Sequence, residues 1–237
     1  MIKITLKDGS VLEREAGGTA YDAAAAISAG LARAACAAKI NGENADLRTV
    51  LDSDCSLEIL TFDDDFGRRT FRHTASHIMA QAVKRLYPHA KLTIGPAVDD
   101  GFYYDFDLEE KFTPADLEKI EAEMKKIVKE NLPLERFTMT RGEAIEFFKD
   151  KDEPYKVELV ENLPEGEEIS FYRQGEFTDL CAGAHLMSTG AVKAFKLTSA
   201  TGAYWHGDSS KKMLCRVYGT AFPKASALEE HLAAVEE

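Results

Sequence analysis

The chain has 237 residues, 45% hydrophobic and 30% charged, a balance typical of globular proteins, and at this size roughly 70% of the unfolded surface can be buried without crosslinks. Asp plus Glu number 41 against 29 Lys plus Arg, a formal net charge of −12. That excludes non-specific coating of nucleic acid, which runs on phosphate neutralisation, but leaves room for a small basic patch that reads one RNA end. No apolar run approaches about 18 residues, so no membrane span is expected, and the alternating start shows no signal-peptide core. Cys36, Cys55, Cys181 and Cys215 have no paired spacing, so a disulfide scaffold is not indicated and a cytoplasmic location is expected.

Residues 1–62 read as a small β-grasp-like unit. Two alternating segments flank Asp8-Gly9, a strong hairpin signal. Thr19 with Asp22 has the form of a capping box, opening an alanine-rich helix over 20–29 that ends at Gly30. A short strand near 36–40, an Asn41-Gly42 turn and a strand over 57–62 complete the unit. Asp63-Asp64-Asp65, with Gly67 after it, marks a junction.

Residues 63–237 read as a second domain with antiparallel sheets and helices, making the chain α+β. A helix over about 68–86 carries Ile78, Met79, Ala82, Val83 and Leu86 at helical spacing and stops before Pro88. Two strands flank Asp100-Gly101. Thr113-Pro114 with Asp116 starts a charged helix to about 130, and Thr140 with Glu143 starts another over 141–149. A hairpin turns at Gln174-Gly175, strands follow near 192–199, 203–206 and 212–219, and Pro223 opens a terminal helix.

Two spacings carry chemistry. His73-Thr-Ala-Ser-His77 puts two imidazoles at i and i+4 on one helix face. Cys181-Ala-Gly-Ala-His185 follows a strand, and Asp179 precedes the cysteine by two residues. Alone, each fits a structural role: helix histidines, a small buried thiol. Together they concentrate three of the six histidines with a cysteine, a composition suited to metal binding or hydrolysis.

At these residues the sequence resembles a family. H-x-x-x-H followed roughly a hundred residues later by C-x-G-x-H is similar to the signature of aminoacyl-tRNA editing domains in threonyl- and alanyl-tRNA synthetases. Residues 94–107, 153–160, 195–208 and 211–222 resemble the threonyl-type bacterial enzymes, and the first 62 residues resemble their TGS module. The resemblance implies an N-terminal fragment, TGS plus editing domain, lacking the synthetic catalytic and anticodon-binding domains. Serine lacks one methyl of threonine, and one methyl is worth only about 1–3 kcal/mol of discrimination. The implied task is hydrolysis of seryl-tRNA(Thr), with the serine-charged CCA end of tRNA(Thr) as partner. The rest of the synthetase chain, as a homodimer, is the other implied partner, and no membrane is involved.

The resemblance further implies that His73, His77, Cys181 and His185 converge in one cleft. His73 would position or deprotonate water, and His185 would orient a second water or the terminal ribose. Asp179 and Lys156 would hold the serine hydroxyl and amine or the developing charge. Tyr104 and the Gly95-Pro96 backbone would line the substrate pocket. No cofactor is expected for editing, and zinc on His73, His77, Cys181 and His185 is the alternative. A non-catalytic tRNA-binding module is the second alternative. Arg68, Arg69, Arg72, Lys193, Lys196, Lys211, Lys212 and Arg216 are candidates to hold the RNA end. Ala182, Ala184, His206 and Cys215 depart from the family pattern, at positions where Arg, Pro, Arg and Gln are usual. Every candidate catalytic residue follows the junction, so residues 63–237 are expected to act without the first 62.

Overall fold

The computed structural model describes residues 1–237 and divides them into two units, Met1–Phe71 with Gly183–Met187 and Arg72–Ala182 with Ser188–Glu237. In the first, β1 (Ile2–Leu6) and β2 (Val11–Arg14) form the hairpin expected at Asp8-Gly9, with Gly9 at φ 87, where a glycine is unstrained. β3 (Gly18–Thr19) leads into α1 (Ala20–Ile27) through a complete capping box: the Asp22 N–H donates to Thr19 Oγ1 at 3.1 Å, and the Thr19 N–H donates to Asp22 at 2.9 Å. The helix ends earlier than the alanine run suggests. Ser28 is extended, and its hydroxyl accepts the Leu31 N–H at 3.0 Å to start α2 (Ala29–Ala34), with Gly30 inside it.

β4 (Ala37–Ile40), β5 (Glu43–Ala45), β6 (Val50–Leu51) and β7 (Cys55–Leu60) follow. The sheet order is β2-β1-β7-β4-β5, parallel only between β1 and β7, while β3 pairs with β6. Ala20 and Ala23 of α1 pack with Ile2, Ile4, Leu47 and Leu57, so small helix residues bring the helix close to the sheet. This is the β-grasp-like arrangement expected.

α3 (Asp65–Leu86) supplies the second unit from Arg72 onward. Of the stripe read from the 3.6-residue period, Ile78, Met79, Ala82 and Val83 are wholly buried, as is Ala75, whereas Leu86 at the end of the helix is 38% exposed. β8 (Lys91–Leu92), β9 (Ala97–Val98) and β10 (Gly101–Asp107) come next, then α4 (Pro114–Glu130), capped by Thr113 and Asp116. β11 (Leu134–Thr138), α5 (Arg141–Asp150), α6 (Pro154–Glu161), β12 (Ser170–Gln174) and β13 (Phe177–Leu180) precede β14 (Ala194–Tyr204), β15 (Met213–Phe222) and α7 (Ala225–Glu236). One antiparallel sheet has the order β14-β15-β10-β8, with β9 also on β10, and a second has the order β11-β12-β13.

The two strands expected near 192–199 and 203–206 are one strand, β14, with a register shift between Leu197 and Ser199. The chain is α+β. No helix is long and apolar enough to cross a membrane. Thr19→Ala removes the acceptor for the Asp22 N–H and should cost the first unit about 0.5–2 kcal/mol. Amide hydrogen exchange over residues 20–27 should speed up accordingly, and unchanged exchange there would contradict the role of the cap.

Candidate active site

Four elements of the second unit converge on one carboxylate. The β12–β13 hairpin turns at Gln174-Gly175, as expected, and the alternation of β13 points Phe177 and Asp179 inward. Asp179 is 1% exposed. β10 brings the Tyr104 hydroxyl, which donates to Asp179 Oδ2 at 2.8 Å. α6 brings Lys156, 2% exposed, with Nζ 2.6 Å from Asp179 Oδ1. α3 brings His77, whose Nε2 lies 3.6 Å from Asp179 Oδ2.

Burial decides the state of this group. Desolvation, reinforced by the Lys156 charge, pushes His77 down from 6.5 to about 3, so the ring is neutral and its approach to Asp179 is no ion pair at neutral pH. Desolvation and the neighbouring Asp179 charge push the Tyr104 phenol well above its usual range, which keeps it a donor. Asp179 Oδ1 has the Lys156 charge beside it but no directed hydrogen bond. A buried carboxylate oxygen with spare acceptor capacity is suited to take a donor from a bound molecule.

The mouth of the site is half-buried. His73 stands one helical turn before His77, the rings edge to face with centroids 5.0 Å apart. Cys181 Sγ lies 3.5 Å from His73 Nε2. The cysteine is fixed by its own backbone: its N–H donates to Ser170 O at 3.1 Å and its carbonyl accepts the Ser170 hydroxyl at 2.6 Å. Ligand atoms of His73, His77 and Cys181 lie within 4.8 Å of one another.

These residues open into a cleft of about 340 Å³ lined by His73, His77, Gly95, Pro96, Lys156, Asp179 and Cys181, with Ile94, Leu159 and Leu163 as apolar wall. Gly95 is dictated by close approach, since a Cβ there would stand 2.1 Å from the Tyr104 ring. The Ser76 hydroxyl, 2.7 Å from the Gly95 carbonyl, ties that loop to α3. Tyr104 itself is 0% exposed and does not line the cleft as expected; it acts on it through Asp179.

His185 lies in the segment 183–187, which belongs to the first unit. Its N–H donates to Asp46 at 3.2 Å, and Arg48 donates to the His185 carbonyl at 2.9 Å and the Leu186 carbonyl at 2.6 Å. A chain starting at residue 63 would lack the two side chains that hold this segment. Neither Asp46 nor Arg48 stood out in the sequence, because nothing local to them announces a partner some 140 residues away.

The expected basic patch is largely spoken for. Arg72 is buried, its guanidinium donating to the Asp99 carbonyl at 2.9 Å and the Ala221 carbonyl at 3.3 Å over the Phe222 ring. Arg216 makes a two-point pair with Asp105 at 2.8 and 2.9 Å. Arg68, Lys196 and Lys212 each have an acidic partner, although Lys196 and Lys212 stay exposed, and Arg69, Lys193 and Lys211 are exposed too.

Residues 2–61 match the TGS domain family, and residues 169–218 match the threonyl and alanyl tRNA synthetase second additional domain. Over 237 residues the chain is 62% identical to the threonine–tRNA ligase of Acetivibrio thermocellus, 64% to that of Clostridium tetani and 63% to that of Clostridium botulinum strain Kyoto. Each alignment covers 100% of this chain and 37% of the relative, so the chain spans little more than a third of the length of these proteins.

The neutral buried His77 has a signature in stability. The unfolded chain takes a proton on this imidazole below pH 6.5, whereas the folded chain refuses it until about 3. Its stabilising contribution is therefore complete above pH 6.5 and lost progressively as pH falls towards 3. Urea midpoints should drop across that window in the parent and less steeply in His77→Gln; parallel slopes would contradict the assignment.

Proposed function

Because the chain belongs to the threonine–tRNA ligase family and carries its TGS and second additional domains, we propose that its second unit hydrolyses the ester of serine mischarged on tRNA(Thr). The observation that carries this is the buried Lys156–Asp179 pair beneath the half-buried His73 and the buried Cys181 thiol, in a cleft large enough for an amino acid on a terminal ribose. The partner is the CCA end of tRNA(Thr), with Arg69, Lys193 and Lys211 as candidate phosphate contacts. The remainder of the synthetase, as a homodimer, would supply the ligase chemistry.

His73 takes a proton from water as the water oxygen bonds to the ester carbonyl carbon. Lys156 faces the negative charge that develops on the carbonyl oxygen. Collapse breaks the bond to the ribose oxygen, which leaves with a proton, releasing serine and tRNA. His77, neutral, orients the neighbouring ring and adds no competing base. Asp179 accepts from the serine hydroxyl or ammonium through Oδ1, and Tyr104 holds the carboxylate in place. Gly95 and Pro96 form the wall that meets an additional methyl. His185 orients a second water or the ribose hydroxyl. The reaction as proposed needs no metal.

A zinc ion on His73, His77, Cys181 and His185 is a second reading, favoured by the clustering of two imidazoles and a thiol, the donors zinc prefers. Four protein ligands would close the coordination sphere and leave water no position, which argues for a structural ion rather than a catalytic one.

The purified chain should release serine from seryl-tRNA(Thr) and leave threonyl-tRNA(Thr) largely intact; equal turnover of both esters would sink the methyl-exclusion account. His73→Ala should lower the rate by about 10²–10⁴. Dialysis against a chelator should leave activity whole, and stoichiometric zinc whose removal abolishes hydrolysis would instead establish the metal reading.

A further inference from the structure

α6 has eight residues, short of the roughly 12–15 at which an isolated helix becomes even marginal, and its N-cap residue Glu153 makes no capping bond from its side chain. Yet it carries Lys156 to within 2.6 Å of Asp179. What holds it must come from outside. At its C-terminal end Arg141 donates to the Val160 carbonyl at 2.5 Å and the Leu163 carbonyl at 2.7 Å. On its flank Tyr155 and Glu158, one turn apart, face away from the Lys156 side. The Tyr155 hydroxyl donates to Asp107 at 2.7 Å.

Glu158 is gripped by two consecutive residues at the end of β14. The Trp205 indole N–H donates to Oε2 at 3.1 Å, and His206 Nε2 lies 3.1 Å from Oε1. The Trp205 and His206 rings are tilted against each other with centroids 4.0 Å apart, and the Tyr155 ring meets the indole edge to face at 5.1 Å. To make this grip His206 adopts φ 55, ψ 19, a left-handed conformation a non-glycine residue enters at a cost. Strain is tolerated where the surrounding contacts repay it, and here those contacts end on α6.

We propose that Glu158, Trp205 and His206 form a clasp that positions α6, and through it Lys156, with all three acting as positioning residues. The other charged groups near this contact are Asp208 and Lys211 on the following turn, with Asp107 and Lys212 beyond Tyr155. Burial opposes ionisation of Glu158, but the bonds from Trp205 and His206 outweigh it and hold its carboxyl below the usual range.

Trp205 is the single tryptophan of the chain, so its emission reports the clasp directly. In the full chain, Glu158→Ala and His206→Ala should each move the Trp205 emission maximum to the red and increase its quenching by added acrylamide, because the buried indole loses the partners that hold it; emission and quenching unchanged in both overturn the proposal. Glu158→Ala should speed amide exchange over residues 154–161 about tenfold or more while sparing α4, and unchanged exchange there overturns it too. A kinetic test rests on the editing function proposed above. Glu158→Ala should lower kcat for serine release with KM within about twofold, and should add nothing in a Lys156→Met background; an equal loss in both backgrounds overturns the coupling to Lys156. A parent chain that releases no serine would refute editing, while the emission and exchange results would still decide the clasp.

Discussion

An ion pair with both partners 2% exposed organises the second unit. Withdrawing an ammonium and a carboxylate from water costs several kcal/mol per ion, and only close contact with further polar partners recovers it. Asp179 meets that condition with Lys156 at 2.6 Å and the Tyr104 hydroxyl at 2.8 Å. Each partner arrives on a different element, so α6, β10 and β13 are committed to one another by charge as well as by apolar packing. A pair that does little for net stability can still specify a single arrangement, because displacing any one element strands a buried charge.

The same charges sort the two histidines of α3. His77, fully enclosed and beside the Lys156 ammonium, is held neutral down to about 3, whereas His73, one turn away, opens to the cleft beside Cys181. Identical side chains at i and i+4 thus receive unlike environments, one ring sealed against Lys156 and Asp179 and the other half-buried beside Cys181. The Lys156 charge, together with burial, disfavours protonation of the histidine beside it.

Much of the fold was legible where local chemistry governs. Thr19 with Asp22 and Thr113 with Asp116 are capping boxes in the structure, Asp8-Gly9 and Gln174-Gly175 are hairpin turns, and the apolar stripe of α3 is buried as its spacing implied except at Leu86, where the helix ends. α6 was not legible, because an eight-residue helix with no side-chain cap depends on tertiary contacts, the packing of Val157 and Val160 against Phe148 and Phe171 and the bonds to Arg141, Asp107 and Trp205. The pairing of His73 with His77 follows from their i, i+4 spacing, whereas the approach of Cys181 to them was implied only by the family resemblance. The fates of Tyr104, Arg72 and His185 could not: a phenol against a carboxylate 75 residues away, a guanidinium sealed by carbonyls, and a backbone held by Asp46 and Arg48 are products of tertiary structure alone.

The claim that one buried charge pair organises this unit is tested most directly by a double-mutant cycle on Lys156 and Asp179. Urea unfolding should show Lys156→Met and Asp179→Leu each costing about 3–5 kcal/mol, since each strands the other's charge. The combined variant, with both charges replaced by apolar side chains, should lose far less than the sum of the two. Additive losses would contradict the account and show that the two residues contribute independently.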